Sequence, residues 1–371
     1  MAIRKRQWIA PDGTAKQAWL VDYRDQAGKR RAKQFAKKKD AEAWSVNAAA
    51  EVQKGIHTAD SVSVTVQKAA ELWLGTVRAA GREPTTVAAY DQHVRLHIVP
   101  KCGARKLSQL TAPIVRTYLD DWLLHLSRPM ALRVFRTFKA ILSDAQERGL
   151  VAQNVALAVK VQKVKREKGK AHPPPKKDLR AILEAASKAG DLMGRAIIEL
   201  AVFTGMRASE LRGLAWRSVD LKKARVTVEQ RADAKGTIGP PKSEAGHRTI
   251  ALPSRVVQTL REWKLACPDH ALGLVFPSPK GKPLSHRVMT LNYVQPIQTE
   301  AKVKALGMHA FRHAAASLWI EQGLNPKRIQ TLMGHSSIQV TFDTYGHLFE
   351  QAQKDAEEAD AIAAALFADA T

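Results

Sequence analysis

Apolar residues three and four positions apart recur through most of the chain, and this spacing predicts α-helices. Between residues 62 and 159 the helical period is continuous, with short connections that favour a compact bundle of four or five helices. Short strand-like stretches lie near the N-terminus, joined by turns at Pro11-Asp12-Gly13 and Ala27-Gly28. Three more follow in the second half of the chain, namely ARVTVEQ, HRTIALP and Leu274–Phe276. The pattern predicts a mainly α protein with small β-sheets, an α+β fold.

Changes in this pattern divide the chain into five segments, which are residues 1–60, 62–159, 160–174, 175–349 and 350–371. The first predicts a three-stranded sheet backed by one helix, and the second is the helical bundle. The third is crowded with Lys and Arg and ends in prolines, so we expect an extended linker. The fourth mixes helices with the three later strands. The last predicts an amphipathic tail helix with an acidic outer face.

The formal net charge of +24, from 59 Lys and Arg against 35 Asp and Glu, predicts a polyanionic partner such as nucleic acid. No apolar run approaches the length of a membrane-spanning helix, and the N-terminus lacks the apolar stretch of a signal peptide. We therefore expect a cytoplasmic protein with no membrane partner. Cys102 and Cys267 are too far apart in sequence to form a CxxC site, and we expect incidental reduced thiols.

One stretch near the C-terminus holds the densest candidate chemistry. Helical spacing places His309 and Arg312 one turn apart at the start of a helix, and His335 follows the glycine that ends the next helix. Tyr345 comes near the end of a third, short helix, just before the helix breaker Gly346. An arginine with imidazoles suits a phosphate, and a positive pocket or a base can activate a tyrosine hydroxyl as a nucleophile. Taken singly, each of these residues is more often structural than catalytic.

Taken together, HAFRH and LMGHSSIQVTFDTYGH resemble the C-terminal active-site signature of the tyrosine recombinases, the phage-integrase family. That family pairs a His-x-x-Arg box with a Leu-Gly-His box and a tyrosine shortly after it. Upstream, AVFTGMRASELRGLAW places Arg207 where the family has its first catalytic arginine, and PPKSEAGHRTIALP places Lys242 where it has a β-hairpin lysine. Met206 and Met333 stand where leucine is frequent, and both exchanges conserve volume.

The resemblance implies a site-specific DNA recombinase, the integrase of a phage, prophage or genomic island, that cleaves and rejoins DNA through a 3′-phosphotyrosine. The catalytic set that it implies is Arg207, Lys242, His309, Arg312, His335 and Tyr345. Tyr345 would attack the scissile phosphate, while the arginines and His335 stabilise its charge. Lys242 would protonate the leaving 5′-oxygen, and His309 would accept the tyrosine proton. Glu210 would support an arginine or simply cap a helix.

Two alternatives share these residues. A type IB topoisomerase nicks and reseals DNA by similar chemistry, and a catalytically decayed integrase would only bind DNA. Residues 1–60 resemble the arm-type DNA-binding module at the N-terminus of many integrases, which favours recombination. The six filled catalytic positions argue against decay. We expect no cofactor and no metal: His309 and His313 have zinc-ligand spacing, but Ala310 replaces the glutamate of the metalloprotease helix, and no P-loop is present.

The expected partners are double-stranded DNA attachment sites and further copies of the chain, assembled as a tetramer on DNA. Accessory proteins that bend DNA or set direction are left open. The expected DNA contacts outside the catalytic set are Arg30, Arg31, Lys33, Arg95, Lys101, Arg105, Lys106, Lys163, Lys165 and Arg166. For each of them an ordinary solvated charge is the alternative. The resemblance also implies that the tail docks on a neighbouring subunit, with docking in cis as the alternative.

Overall fold

The structure is a computed structural model that describes residues 1–25, 27–162 and 172–352, without the side chains of residues 350–352. The chain forms two compact units, Met1–Lys163 and Val164–Thr371. The predicted linker contacts Lys163, Lys165 and Arg166 and nearly all of the acidic tail lie outside the described residues. In the part of the chain that is described, no helix is long and apolar enough to cross a membrane. The division into five functional segments stays a prediction.

The first unit begins with a three-stranded antiparallel sheet in sequence order, made of β1 (Ala2–Ile9), β2 (Ala15–Arg24) and β3 (Arg30–Phe35). Helix α1 (Lys38–Gln53) packs on this sheet, as the sequence predicted. The central strand β2 carries the buried side chains, and the ring of Tyr23 meets Trp44 of α1 edge to face at 5.2 Å between centroids. No residue of β1 or β3 is buried, so the polar side chains of these two strands contact solvent.

A helical bundle completes the first unit. Its helices are α2 (Val66–Ala79), α3 (Pro84–His93), α4 (Val99–Cys102), α5 (Ala112–His125) and α6 (Arg128–Glu147). Thr65 caps α2 by accepting a hydrogen bond from the backbone N–H of Lys68. Helix α6 supplies Phe135, Phe138 and Ile141 to the core, where each is buried. The apolar spacing that predicted the bundle is the spacing of these core residues.

One helical rod of this bundle departs from the α-helical period. Helix α3 continues without a break through a π-helical turn at Val94–Ile98 into α4. A π turn accommodates one extra residue in a helix. His93, at the end of α3, is buried and hydrogen-bonded through Nδ1 to Thr137 Oγ1 of α6 at 2.9 Å, and Ile98 and Cys102 are buried beyond the turn. The residues that flank the π turn therefore face the core on both sides of it.

The second unit is a larger mixture of helices and short strands. Its helices are α7 (Lys176–Lys188), α8 (Leu192–Thr204), α9 (Ala208–Gly213), α10 (Ser254–Ala266), α11 (His286–Val288), α12 (Gln295–Glu300), α13 (Met308–Glu321), α14 (Pro326–Met333) and α15 (Ile338–Ala352), with a π-helical turn at Met289–Val294. Helix α8 packs against α7, α10 and α13. It is apolar on nearly all sides because neighbours cover it on nearly all sides.

Two small sheets lie beside these helices. Strands β4 (Val219–Asp220), β5 (Arg225–Val228) and β8 (Arg248–Ala251) form an antiparallel sheet in the order β4-β5-β8, and β6 (Arg231–Ala232) pairs with β7 (Ile238–Gly239). The two strands predicted around the Lys242 loop are β5 and β8, and the pair β6-β7 lies between them in sequence. The strand predicted at Leu274–Phe276 was wrong, because Leu274 forms an isolated bridge with Ala215 and the two residues after it form a bend. The mainly α fold with small sheets is confirmed.

Helix α15 continues through Gly346 to Ala352, so the prediction that Gly346 ends this helix was wrong. An internal glycine costs a helix about 1 kcal/mol relative to alanine. Packing of α15 against both α13 and α14, with Thr341 and Tyr345 buried at the contact, outweighs that cost. Tyr345 therefore lies in the middle of a helix.

Candidate active site

Arg312 lies in the first turn of α13, and its side chain is almost fully buried. Nη1 donates to the carbonyl oxygen of Gly205 at 2.7 Å, and Nη2 donates to the carbonyl oxygen of Met333. These carbonyls lie at the C-terminal ends of α8 and α14, where the helix supplies them no partner. Burial, followed by the charge of Arg207, lowers the pKa of Arg312 to about 9. The guanidinium stays protonated at neutral pH and joins two helix ends.

Arg207 precedes α9 and shares one carboxylate with that helix. Its Nη1 contacts Oε1 of Glu210 at 2.7 Å, and its backbone N–H donates to Oε2 of the same residue at 2.9 Å. Nη2 of Arg207 donates to the carbonyl oxygen of Gly334 at 3.1 Å. Glu210 therefore does both things that the sequence left open, since it contacts an arginine side chain and caps the helix.

Arg248, which the sequence analysis did not select, is the second arginine on Glu210. Nη2 lies 2.7 Å from Oε2 and Nη1 3.2 Å from Oε1, and both side chains are 2% exposed. Nε of Arg248 also donates to the carbonyl oxygen of Leu332 at 2.7 Å. Burial alone would raise the pKa of Glu210, but the hydrogen bond and charge of Arg248 and the charge of Arg207 outweigh burial and lower it. The carboxylate stays ionised between two guanidinium groups.

A signal for Arg248 was present in the sequence. Strand β8 alternates buried and exposed positions, so Arg248 shares the inward face with Ile250. A charged residue on the inward face of a strand needs a buried partner of opposite charge. The missing information was which carboxylate would meet it, because Glu210 is distant in sequence.

Gly334, between α14 and His335, is fixed by close packing as well as by backbone conformation. Its φ of +63° is left-handed, and a Cβ there would lie 2.9 Å from the carbonyl oxygen of Ala245 and 3.0 Å from Nη1 of Arg248. The glycine before His335 therefore lets the segment before β8 pack closely against the end of α14, where the carbonyl groups bound by Arg207 and Arg312 lie.

His335 and Tyr345 face each other. Their rings are nearly parallel, with an interplanar angle of 13° and centroids 6.4 Å apart. Nδ1 of His335 lies 2.9 Å from Oγ1 of Thr341. Burial, followed by the charges of Arg312 and Arg207, lowers the pKa of His335 to about 3. This imidazole is therefore neutral at pH 7 and acts as a hydrogen-bonding group, without a positive charge.

The Tyr345 hydroxyl is hydrogen-bonded to His313, another residue that the sequence analysis did not assign to the site. Nδ1 of His313 lies 2.9 Å from the phenolic oxygen, and Tyr345 is only 1% exposed. Burial raises the pKa of Tyr345 to about 12, although Arg312 and Arg207 oppose the shift. Burial, then His309 and Arg312, lowers the pKa of His313 to about 4. The phenol therefore keeps its proton and His313 stays uncharged, so the hydrogen bond joins a phenol to a neutral imidazole.

His309 touches His313 rather than the phenol. The two rings meet edge to face with centroids 4.5 Å apart, and His309 is exposed on the other side. Partial burial of the His309 ring, followed by the charges of Arg312 and Arg207, lowers its pKa. Within the described ranges no three metal-ligating side chains come together.

Comparison with known proteins gives the family of the chain. The model of the phage integrase family matches residues 175–352, which include all of the contacts above. An integrase of Streptomyces ambofaciens is 31% identical over 302 residues, and the alignment covers 76% of each chain. The chain belongs to the phage integrase family. It is a tyrosine-type site-specific recombinase, an enzyme that exchanges DNA strands.

Further relatives of this recombinase agree. A XerC-like tyrosine recombinase of Caldanaerobacter subterraneus subsp. tengcongensis is 26% identical over 370 residues, covering 90% of this chain and 93% of its own. The Tn1549 transposon integrase, solved with transposon right end DNA, matches the fold with a TM-score of 0.66 at 20% identity, covering 81% of this chain and 100% of its own. A lambda integrase tetramer bound to a Holliday junction matches with a TM-score of 0.57 at 19% identity, covering 89% and 95%.

The remaining predicted catalytic residue of the recombinase, Lys242, is exposed on the loop between β7 and β8. The base of this loop is tightly packed, since a Cβ on Gly246 would lie 2.5 Å from Cβ of Pro241. The structure thus gathers Arg207, Arg312, His335 and Tyr345 in one pocket with His309 beside it. Lys242 lies on a loop whose far end is anchored to that pocket by Arg248.

The described basic residues that we predicted as further DNA contacts of the recombinase all lie in the first unit and fall into two groups. Three are exposed, namely Arg30, Arg95 and Arg105, and of these Arg30 lies 4.0 Å from Asp22. Four contact a residue of the same unit more closely, namely Arg31, Lys33, Lys101 and Lys106. Lys33 of β3 pairs with Asp60 at 2.5 Å, and Lys106 donates to the carbonyl oxygen of Asp60 at 2.6 Å. Asp60 therefore links the N-terminal sheet to the helical bundle.

Proposed function

We propose that this recombinase acts on the attachment sites of a mobile element, such as a phage, prophage or genomic island, with Tyr345 as the nucleophile. The observation that supports this role is the position of the phenol on α15, packed among Arg207, Arg312 and His335. Attack on the scissile phosphate would give a 3′-phosphotyrosine and a free 5′-hydroxyl. Attack by the hydroxyl of a partner strand would reverse the step and join the new strands.

The two arginines suit the charge that develops during phosphoryl transfer, because this charge spreads over the non-bridging oxygens. Arg207 and Arg312 hold backbone carbonyls of helix ends and retain further N–H donors for a phosphate. Neutral His335 would donate one more hydrogen bond. Because these donors are fixed by the fold before DNA arrives, little reorganisation is needed at the moment of reaction.

The reaction needs two proton transfers. One proton must leave the tyrosine, and another must be donated to the departing 5′-oxygen. We propose Lys242 as the acid, since an ammonium on an exposed loop can close on the leaving group. His309 completes the predicted catalytic set, and it shares the first turns of α13 with His313, which contacts the phenol. Glu210 holds Arg207 in place.

The substrate and assembly follow by analogy with the relatives. The Tn1549 integrase structure contains transposon DNA, and the lambda integrase structure is a tetramer on a Holliday junction. We infer that this chain also binds double-stranded DNA sites and assembles as a tetramer there, in the compartment that holds the genome.

The segments of the chain would share this work. Residues 1–60 would bind arm-type sites and residues 62–159 core sites, with residues 160–174 as a linker and the tail passed to a neighbour. Accessory bending and directionality proteins stay a prediction. The alternative of a nicking and resealing topoisomerase is not favoured, because the relatives named above are recombinases and integrases.

The variant Tyr345→Phe tests the nucleophile. It should bind an attachment site within a few-fold of the natural protein, because the phenolic oxygen contributes little to charge-driven affinity. It should form no protein-linked DNA on a denaturing gel. Tyr293→Phe, which removes a hydroxyl elsewhere in the same unit, is the matched control and should still form the covalent product. Protein-linked DNA from Tyr345→Phe would remove Tyr345 from this role.

A further inference from the structure

The side chain in hydrogen-bond contact with the Tyr345 hydroxyl is His313. Nδ1 of His313 is 2.9 Å from the phenolic oxygen, and the two rings meet edge to face with centroids 5.6 Å apart. His313 directly follows Arg312 on α13, so the helix that delivers a guanidinium to the pocket also delivers an imidazole to the nucleophile. His309, the acceptor expected from the sequence, contacts the His313 ring, with centroids 4.5 Å apart.

We infer that His313 takes the proton of Tyr345 when the phenol attacks, and that the same hydrogen bond holds the phenol idle before DNA is bound. The inference rests on the proposed role of Tyr345 as the nucleophile. A neutral imidazole carries its proton on one nitrogen and accepts at the other. In the proposed resting site the phenol donates to Nδ1 of His313, and the imidazole therefore carries its own proton on Nε2.

The resting site disfavours proton transfer. Burial and the neighbouring His309 and Arg312 lower the pKa of His313 to about 4, while burial raises the pKa of Tyr345 to about 12. The groups that face this pair are His309 and Arg312 on α13 itself, His335 before α15, and Arg207 before α9. All of them are basic, so an added proton on His313 meets either positive charge or another imidazole.

A phosphate bound between Arg207 and Arg312 would partly reverse the lowering of the His313 pKa. Its negative charge offsets the guanidinium charges that disfavour a positive His313, so the imidazole becomes a better base when the scissile group is in place. The phenol need not ionise beforehand, since the proton can move while the new O–P bond forms. Premature ionisation of the nucleophile is thus suppressed until a phosphate arrives.

The proposed step balances in atoms and charge. The O–H bond of Tyr345 breaks, its proton moves to Nδ1 of His313, and the phenolic oxygen bonds to phosphorus. The bond from phosphorus to the 5′-oxygen breaks, and that oxygen takes a proton from the Lys242 ammonium. When the strands are rejoined, His313 returns its proton to Tyr345 and Lys242 recovers one from the attacking hydroxyl, so no other reactant is consumed.

The test measures single-turnover cleavage by the full chain on a nicked core-site duplex. His313→Asn is the informative variant, because an amide oxygen can accept the phenol's hydrogen bond but cannot take its proton. Loss of a general base should slow cleavage about 10²- to 10⁴-fold. A substrate with a 5′-phosphorothiolate should show the same loss, because sulfur leaves without a proton donor and only the nucleophile's proton remains to be moved. DNA affinity, measured by gel shift, should be unchanged.

Chemical rescue separates a base from a packing residue. Imidazole in the buffer should speed cleavage by His313→Ala and leave His309→Ala unaffected. The inference is overturned if His313→Asn cleaves at the natural rate, if imidazole rescues His309→Ala instead, or if imidazole fails to speed His313→Ala. The proposed function fails separately, since its marker is covalent product from Tyr345→Phe, whatever the His313 variants do.

Discussion

Replacing Arg248 by methionine should strongly destabilise the second unit. Arg248 supplies donors to the Glu210 carboxylate and to the carbonyl oxygens of Leu332 and Gly246, all in the interior. Removing one partner of a buried ion pair typically costs about 3–5 kcal/mol, because the other charge stays buried. Glu210 keeps Arg207 at 2.7 Å, so we expect the lower end of that range, about 3 kcal/mol.

Hydrogen exchange of the full chain, followed by mass spectrometry, can measure this loss in one unit at a time. Amides of β5, β8 and α14 should exchange about a hundredfold faster in Arg248→Met, the factor that corresponds to about 3 kcal/mol. Amides of α6 in the first unit provide the internal reference and should be unchanged. Arg248→Lys keeps the positive charge but loses the forked donors. The same amides should therefore exchange faster in this variant than in the natural protein and more slowly than in Arg248→Met.

The reasoning also predicts a catalytic effect, because Glu210 positions Arg207. In Arg248→Lys, cleavage should slow more than DNA binding weakens. Exchange in Arg248→Met at the natural rate would show that the buried pair does not stabilise the unit. Uniform acceleration in both units would show that the variant disturbs the chain as a whole.

Two further predictions concern protons. Lys242→Ala should slow cleavage of an ordinary site strongly and recover on a 5′-phosphorothiolate substrate, and no recovery would reassign Lys242 to phosphate contact. The pKa of His313 is lowered to about 4 and that of His335 to about 3 in the folded unit. In the unfolded chain both imidazoles bind a proton as the pH falls through about 6.5, whereas in the folded unit they stay neutral at that pH. The stability that depends on their neutral forms is complete above pH 6.5 and is lost as the pH falls toward 4 for His313 and toward 3 for His335. The unfolding free energy of the second unit should therefore drop by about 4 kcal/mol between pH 7 and pH 5, roughly half from each histidine. His313→Asn should reduce that drop by roughly half, and an unchanged drop would contradict the assignment.

Helices and the order of the catalytic motifs could be predicted from the sequence because both are local. The period of apolar residues describes one helix face at a time, and the His-x-x-Arg box fixes which side chains share a turn. Contacts between distant segments carry no such local pattern. His313 looked like a neighbour of His309 because the sequence does not show that α15 crosses α13 with Tyr345 at the contact.

Gly346 shows the same limit in a different form. Local propensity favours a helix end there, and tertiary packing on either side overrides it. Arg248 could have been noticed as a charge on the inward face of a strand, but its partner depended on the three-dimensional arrangement of α9 and β8. Glu210 was expected to have one of two roles, and only the geometry showed that one carboxylate performs both.

The π-helical turn at Val94–Ile98 sets how this chain can tolerate insertions and deletions. Successive residues of an α-helix are rotated by about 100°, so one residue more or less in a regular helix turns everything beyond it away from its former neighbours. In this rod the surplus residue is absorbed within one turn, and Ile98 and Cys102 still face the core. Deleting one residue of the turn would straighten the helix and rotate Lys101 relative to the residues before the turn. The rotation of Lys101 relative to the residues before the turn is therefore encoded in chain length as much as in residue type.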